Sequence, residues 1–329
     1  MTNQKVYYPE IDALKGFTIF LVILGHAIIV FPINLHENAT CLWLYNFIYS
    51  FHMPFFFCLS GFLFSFHEDY RSYLWKKVKR IAVPYLIFNL VDMVPRSMFG
   101  FLFNRPRSLP ESLLSILFYG GEFWFLYVLF ILYMIFPPLA ALEKKSIKWA
   151  LAIEGALFIW ALLPLESVWI LDRLRLYLFF FNTGFLVRSV HTVTYKRMEG
   201  TSPIRICALS VLMLALWLTF FSLPTPPQSY KRLISVIIAL LGSMTAYTFI
   251  RWKPFCNAFA RFGSWTLQLY LLNSWTLGVS RLIICTFLGV TNPAVIILFN
   301  VAVDFGLSYL FIKYFCVRFR VFRCAMGIV

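Results

Sequence analysis

The chain is poor in charge, and poorest in acid. Of its 329 residues only 13% are charged, with 14 acids against 29 Lys and Arg. A water-soluble domain carries about 25% charged residues. The shortage excludes a fold that hides its apolar side chains in one solvated globule. Strict alternation of apolar and polar residues is also missing, which excludes a membrane β-barrel. There is no Cys-x-x-Cys and no Cys/His spacing suited to a metal. The seven cysteines (41, 58, 207, 256, 285, 316 and 324) are scattered, mostly inside apolar runs, and read as small fillers. Residues 1–10 are polar and carry Lys5, and no small-x-small site follows the first apolar run, so no cleavable signal peptide is expected. Internal repeats, low-complexity segments and long polar stretches are absent, so no soluble domain outside the membrane is expected.

What the chain has is apolar length. Hydrophobic residues make up 61%, and the mean hydropathy is +0.78. Ten apolar runs stand out, at 13–31, 42–64, 81–103, 123–142, 149–163, 168–187, 204–223, 233–250, 265–287 and 293–315. They predict an all-α polytopic protein of about ten transmembrane helices, organised as one integral-membrane domain over residues 1–329. The third run, with Asp92, Pro95 and Arg96 inside, is the least regular and reads as a broken helix or as a span plus a surface segment.

The formal charge of +15 is read as a topology signal rather than a nucleic-acid footprint, and no nucleic-acid partner is expected. One set of loops holds Arg71, Lys76, Lys77, Lys79 and Arg80, then Lys144, Lys145 and Lys148, then Arg188, Lys196, Arg197 and Arg205, then Arg251, Lys253 and Arg261, then Lys313, Arg318, Arg320 and Arg323. The opposite set holds Arg96, Arg105, Arg107, Lys231, Arg232 and Arg281. Basic residues mark the cytoplasmic side, so both termini are expected there.

Within the first run, Lys15 and His26 are eleven positions apart. At about 100° and 1.5 Å per residue they share a helix face and differ in depth by roughly 16 Å. Lys15 then lies near the membrane surface and His26 about halfway through. An imidazole at that depth is expensive unless it meets a cavity or a partner. It can act as a general base toward a hydroxyl, act as a transient acyl carrier, or be a satisfied buried histidine. Gly25 beside it signals close approach of another group. Asp12 is three residues from Lys15 and either pairs with it or lines the same face. His52 precedes Pro54, which is expected to kink the second run and bring a second imidazole toward a polar interior. Ser60-Gly61 reads as a close-packing site.

Lys77 and Arg80 share a face on the basic side and serve either to grip a phosphate or to mark topology. Glu122 and Trp124 open the fourth run on the other side, where aromatics usually anchor the interface. Asp172, Arg173 and Arg175 sit near that same side, where they bind an anionic or sugar group or pair among themselves. Glu154 and Asp304 are isolated acids without a nameable partner.

These residues resemble a known family. Lys15-x10-His26 is similar to the arginine-x10-histidine motif of the integral-membrane acyltransferase 3 family. Phe51-His52-Met53-Pro54 with Phe56-Phe57-Cys58-Leu59-Ser60-Gly61 resembles its second-span pattern. Lys77-x-x-Arg80 with Pro84-Tyr85 resembles its RxxR…PY stretch, and Trp124-Phe125-Leu126 its WFL signature. Phe179-Phe180-Phe181-Asn182-Thr183-Gly184 and Phe262-Gly263-Ser264 with Leu269-Tyr270-Leu271-Leu272 resemble two later segments. The matches run in family order across nearly the whole chain. Lys15 and Lys77 stand where the family has arginine, which keeps charge but loses bidentate geometry. Asn273 stands where the family has a histidine, and cannot take a proton at neutral pH.

The resemblance implies a ten-helix membrane O-acyltransferase of the bacterial plasma membrane. It implies transfer of an acyl group, usually acetyl, from cytoplasmic acyl-CoA to a hydroxyl of a cell-envelope glycan or lipid-linked saccharide. His26 would be catalytic, with His52 assisting, and Lys15, Lys77 and Arg80 would hold the donor. Asp12, Glu122, Trp124, Asp172, Arg173, Arg175 and Asn273 are candidates for the acceptor or the cavity wall. No metal and no permanently bound cofactor is expected; acyl-CoA is a substrate, and membrane lipids surround the protein. Two rival readings are a transporter or flippase of a lipid-linked sugar, which uses the same polar cavity for passage, and a scaffold subunit of an envelope assembly, which leaves His26 without a reason.

Overall fold

The computed structural model describes residues 9–66, 69–98, 107–163, 169–199, 203–223 and 228–328. Lys5, Arg105 and the loop at 164–167 lie outside them. Helix is the regular secondary structure throughout the described residues. The first half comprises α1 (Pro9–Ala27), α2 (Ala39–Tyr49), α3 (His52–Phe62), α4 (Tyr70–Lys77), α5 (Val83–Met98), α6 (Leu109–Leu114), α7 (Trp124–Glu143) and α8 (Ile147–Leu162). The second half comprises α9 (Trp169–Glu199), α10 (Pro203–Phe221), α11 (Gln228–Ile250), α12 (Lys253–Gly263), α13 (Thr266–Arg281), α14 (Pro293–Phe311) and α15 (Arg320–Ala325). Each apolar run of the sequence is helical over most of its described length. Among the described residues, five stretches are long and apolar enough to cross a membrane: Ala39–Phe62, Leu109–Glu143, Ile204–Phe221, Tyr230–Ile250 and Pro293–Cys316. The protein is a multi-pass helical membrane protein.

Helix starts follow local chemistry. The Asn38 side chain accepts from the Thr40 and Cys41 amides and starts α2. Asp69 accepts from Ser72 N–H and starts α4, and bonds from the Ser72 hydroxyl and then its amide hold the carboxyl below the usual range. Ser108 and Glu111 form a capping box on α6. Asn292 caps α14, with Pro293 at the first helical position, where a missing N–H is harmless.

Glycines set the tightest helix pairs. A Cβ on Gly16 of α1 would overlap the Phe259 carbonyl of α12, and one on Gly263 would overlap the Asp12 carbonyl. The same reciprocity joins α3 and α9: Gly61 lies on the Phe181 carbonyl and Gly184 on that of Cys58. Ser60-Gly61 is therefore a close-packing site, as its composition indicates. Around it Phe64, Phe136, Phe181 and Phe185 pack edge to face, with centroids 4.8–5.9 Å apart.

Two expectations about helix breaks need correction. The second run breaks at Ser50–Phe51, before His52, so His52 follows the kink rather than preceding it. The Pro54 ring would strike the carbonyl four residues back, that of Ser50, which is where the helix parts. Pro54 itself sits in the first turn of α3. The third run stays helical through Pro95 to Met98. Its irregularity is a π-turn at Val78–Ala82, joining α4 to α5. Pro84 offers no N–H to the Arg80 carbonyl, and the Val83 N–H bonds back five residues to Val78.

The helices run between two ends, named here by α1. At the Lys15 end, α12 lies on α1, the backbone at Gly327 meets the Arg80 carbonyl, and Gln268 Nε2 donates to the Met326 carbonyl at 2.9 Å. At the His26 end, Arg96 meets Glu122 at 3.4 Å, Arg232 meets Asp172 at 3.4 Å, and Asn300 Nδ2 donates to the Ala27 carbonyl at 3.5 Å.

Candidate active site

His26 lies in the last turn of α1, not in its middle. Its Cα stands roughly 25 Å along the axis from Pro9. The helix stops at Ala27 because Pro32 offers no N–H to the Ile28 carbonyl and disfavours helix at Phe31. The His26 side chain is exposed although its helix is embedded in the bundle, so it faces open space at this end. Gly25 makes room for an aromatic ring: a Cβ there would stand 2.9 Å from Tyr49 Cε2.

Tyr49 is the hub of this end. Its ring lies 6.5 Å from that of His26, 4.0 Å from Tyr45 in a stack, and 4.6 Å edge-on to His52. His36 continues the series, 4.4 Å from Tyr45. His52 is buried, and its Nδ1 lies 2.8 Å from the Ile48 carbonyl. A carbonyl only accepts, so Nδ1 carries the proton and Nε2 keeps its lone pair. The two imidazoles lie within Coulombic range of each other.

Charged and aromatic groups continue the wall. Arg96 Nε donates to Asp92 Oδ2 at 3.0 Å, and Arg107 Nη1 to Glu122 Oε1 at 3.0 Å. The Glu122 amide donates to Asn89 Oδ1 at 3.0 Å, close against Gly121, where a Cβ would collide with that oxygen. Trp124 starts α7 beneath Arg173, whose guanidinium carbon lies 3.8 Å from the ring centre. Tyr177 stacks on the same indole at 5.6 Å. Tyr270 lies within Coulombic range of Glu122, Arg173 and Tyr49. Arg281, at the end of α13, lies within the same range of His26 and Arg96.

At the Lys15 end, Lys77 Nζ lies 3.7 Å from the centre of the Tyr133 ring and 5.3 Å from that of Tyr73. Arg80, exposed, brings its charge to the same Tyr133, which reaches the Ser60 hydroxyl. Arg80 lies within the π-turn and Lys77 just before it, and both converge on one tyrosine. Lys15, half-buried, pairs with Asp12 at 2.6 Å, as a three-residue spacing on a helix allows.

The structure thus splits the residues singled out from sequence. His26 and His52 share one end, with Glu122, Trp124 and Arg173 around them. Lys15, Asp12, Lys77 and Arg80 belong to the other. Asp172 and Arg175 form an ion pair with each other, and Arg175 also donates to the Leu163 carbonyl at 2.9 Å; both act as a clamp on α9. Asn273 is buried and donates to Asp304 Oδ2 at 2.5 Å, so it supports α14 rather than lining open space. Thr276 and Ser308 also donate to Asp304, at 2.9 and 3.2 Å. Glu154, the other isolated acid, accepts from Asn182 at 2.7 Å and Thr183 at 2.5 Å. Tyr49, Tyr133, Tyr270 and Arg281 were missed. Arg281 carried a usable signal, a charge within an apolar run; the tyrosines carried none that set them apart.

The membrane protein thus carries an open imidazole at one end and a pair of bases on an aromatic platform at the other. The acyltransferase 3 family, described as an acyltransferase domain, matches residues 8–313, and the chain belongs to that family. It is similar to the nodulation protein NolL of Sinorhizobium fredii, 25% identical over 304 residues, which cover 83% of this chain and 78% of that protein. It is also similar to the nodulation protein NolL of Mesorhizobium japonicum, 27% identical over 143 residues, covering 41% of this chain and 37% of that one. No solved structure matches.

Proposed function

We propose that this acyltransferase moves an acyl group, usually acetyl, from cytoplasmic acyl-CoA to a hydroxyl of a cell-envelope glycan or lipid-linked sugar. In this reading it crosses the bacterial inner membrane about ten times as one integral-membrane unit, with both termini and the Lys15 end in the cytoplasm. The observation that carries it is the exposed His26 imidazole, separated from Lys15 by roughly 16 Å of one helix face. Lys77 and Arg80 hold the phosphates of the donor, with Lys15 nearby, and the thioester arm extends toward the His26 end.

The chemistry needs one proton shuttle. The acceptor hydroxyl gives its proton to neutral His26 as its oxygen bonds to the thioester carbonyl carbon. The oxyanion then re-forms the carbonyl, the carbon–sulfur bond breaks, and the thiolate leaves as coenzyme A with the proton from His26. His52, held by Ile48, keeps Tyr49 against His26. Trp124, Arg173, Tyr177 and Tyr270 offer stacking faces and polar tips of the kind that receive a sugar ring.

Membranes containing the protein should transfer label from acetyl-CoA into envelope saccharide. His26→Ala should lower that transfer by a factor of about 10²–10⁴, the usual contribution of a general base. Undiminished transfer in the variant would remove His26 from the mechanism. Acyl-CoA should also raise the unfolding temperature of the detergent-solubilised protein, which a flippase of lipid-linked sugars would not require.

A further inference from the structure

Arg281 has no hydrogen-bond or ion-pair partner among the described residues, although it is half-buried in a membrane protein. Two other bases of this wall are balanced. Asp92 and Glu122 share Arg96 and Arg107, through contacts of 3.0, 3.4 and 3.0 Å. Two carboxylates meet two guanidinium groups, and Arg281 is the charge left over. The Ser280 hydroxyl beside it donates to Asn300 Oδ1 at 2.6 Å, and Asn300 donates to the Ala27 carbonyl at 3.5 Å, so the end of α13 that carries Arg281 packs at the His26 turn of α1. One guanidinium nitrogen folds back along α13, 3.9 Å from where a Gly278 Cβ would stand. An uncompensated guanidinium in low-dielectric surroundings is unfavourable, and an incoming anion relieves it. The snorkelling that usually explains a terminal arginine would turn the group outward to headgroups, away from α1 and α5.

We infer that Arg281 is an anion subsite at the His26 end, and that the acceptor carries a carboxylate or phosphate close to the hydroxyl that is acylated. A planar guanidinium suits either group bidentately. The subsite adds specificity rather than catalysis: it fixes which sugar enters and which hydroxyl reaches the imidazole. The inference builds on the acyltransferase reading, and its test is separable from that reading.

Arginine modification by phenylglyoxal, mapped residue by residue by mass spectrometry on the whole purified protein, reads Arg281 directly. Glucuronate or glucose 6-phosphate should slow its modification about threefold or more, and glucose should not, as expected for a charge-assisted contact. Protection by glucuronate alone names a carboxylate, and by the phosphate alone a phosphate. Equal protection by glucose, or none by either anion, overturns the subsite. His26→Ala should show the same protection, so the result stands apart from acyl transfer. In the transfer assay, R281Q should raise the acceptor KM about tenfold with kcat nearly kept, and R281K should recover part of it. Label found on a neutral saccharide overturns the subsite while leaving the acyltransferase intact. No label at all overturns the acyltransferase and leaves Arg281 to the protection result.

Discussion

Glycines near the site fall into two kinds, told apart by what a methyl group would strike. At Gly25 the obstacle is the edge of the Tyr49 ring, the far end of a side chain at 2.9 Å. At Gly16 and Gly61 it is a backbone carbonyl of a neighbouring helix. Gly25→Ala should therefore fold normally, with a thermal midpoint close to the parent, but displace Tyr49 and lower acyl transfer. Gly16→Ala and Gly61→Ala should lose about 1–3 kcal/mol of stability or more, because helices must separate. Melting curves in detergent beside transfer assays check the split, and equal destabilisation at all three positions would refute it. The same contrast explains what could be read from sequence. Lys15 and His26 stand out because polar groups are rare inside apolar runs, and Gly25 announced a close neighbour. Tyr49, Tyr133 and Tyr270 were hidden among 17 tyrosines and 38 phenylalanines.

Among the elements, the ten apolar runs were legible because length and hydropathy suffice to find them. The breaks inside them were not, since a proline acts on the carbonyl four residues back and its own position misleads. The helix α12 escaped for another reason. Phe255, Phe259 and Phe262 line one face and Lys253, Asn257 and Arg261 the other, a short amphipathic pattern that a search for long apolar stretches passes over. The π-turn at Val78–Ala82 has a consequence for the donor. It sets the angle at which Lys77 and Arg80 reach Tyr133. Pro84→Ala restores an N–H for the Arg80 carbonyl and lets the turn tighten to α, rotating the two bases apart. The KM for acyl-CoA should rise several-fold, by roughly the worth of one charge-assisted hydrogen bond, with kcat little changed. An unchanged KM would mean that the turn is only relief from Pro84 and that the donor is held elsewhere.

For the molecule as a whole, charge segregation between the two ends is what the proposed direction of transfer rests on. The Lys15 end gathers Arg71, Lys76, Lys77, Lys79, Arg80, Lys144, Lys145, Lys148, Arg251, Lys253, Arg261, Lys313, Arg318, Arg320 and Arg323. The bases at the His26 end are fewer and sit among acids: Asp92, Glu111, Glu122 and Asp172. In the proposed reading the bias puts the Lys15 end in the cytoplasm, on the side of acyl-CoA, and leaves His26 for an acceptor arriving from the far side. Cys324 tests this orientation. It lies on α15 at the Lys15 end and is exposed, as is Cys207. In a C207S background, a membrane-impermeant maleimide should label Cys324 in inside-out vesicles and leave it unlabelled in intact cells. Labelling in intact cells would turn the protein over. Lys77 and Arg80 would then face a compartment without acyl-CoA, and the donor would have to enter from the His26 end.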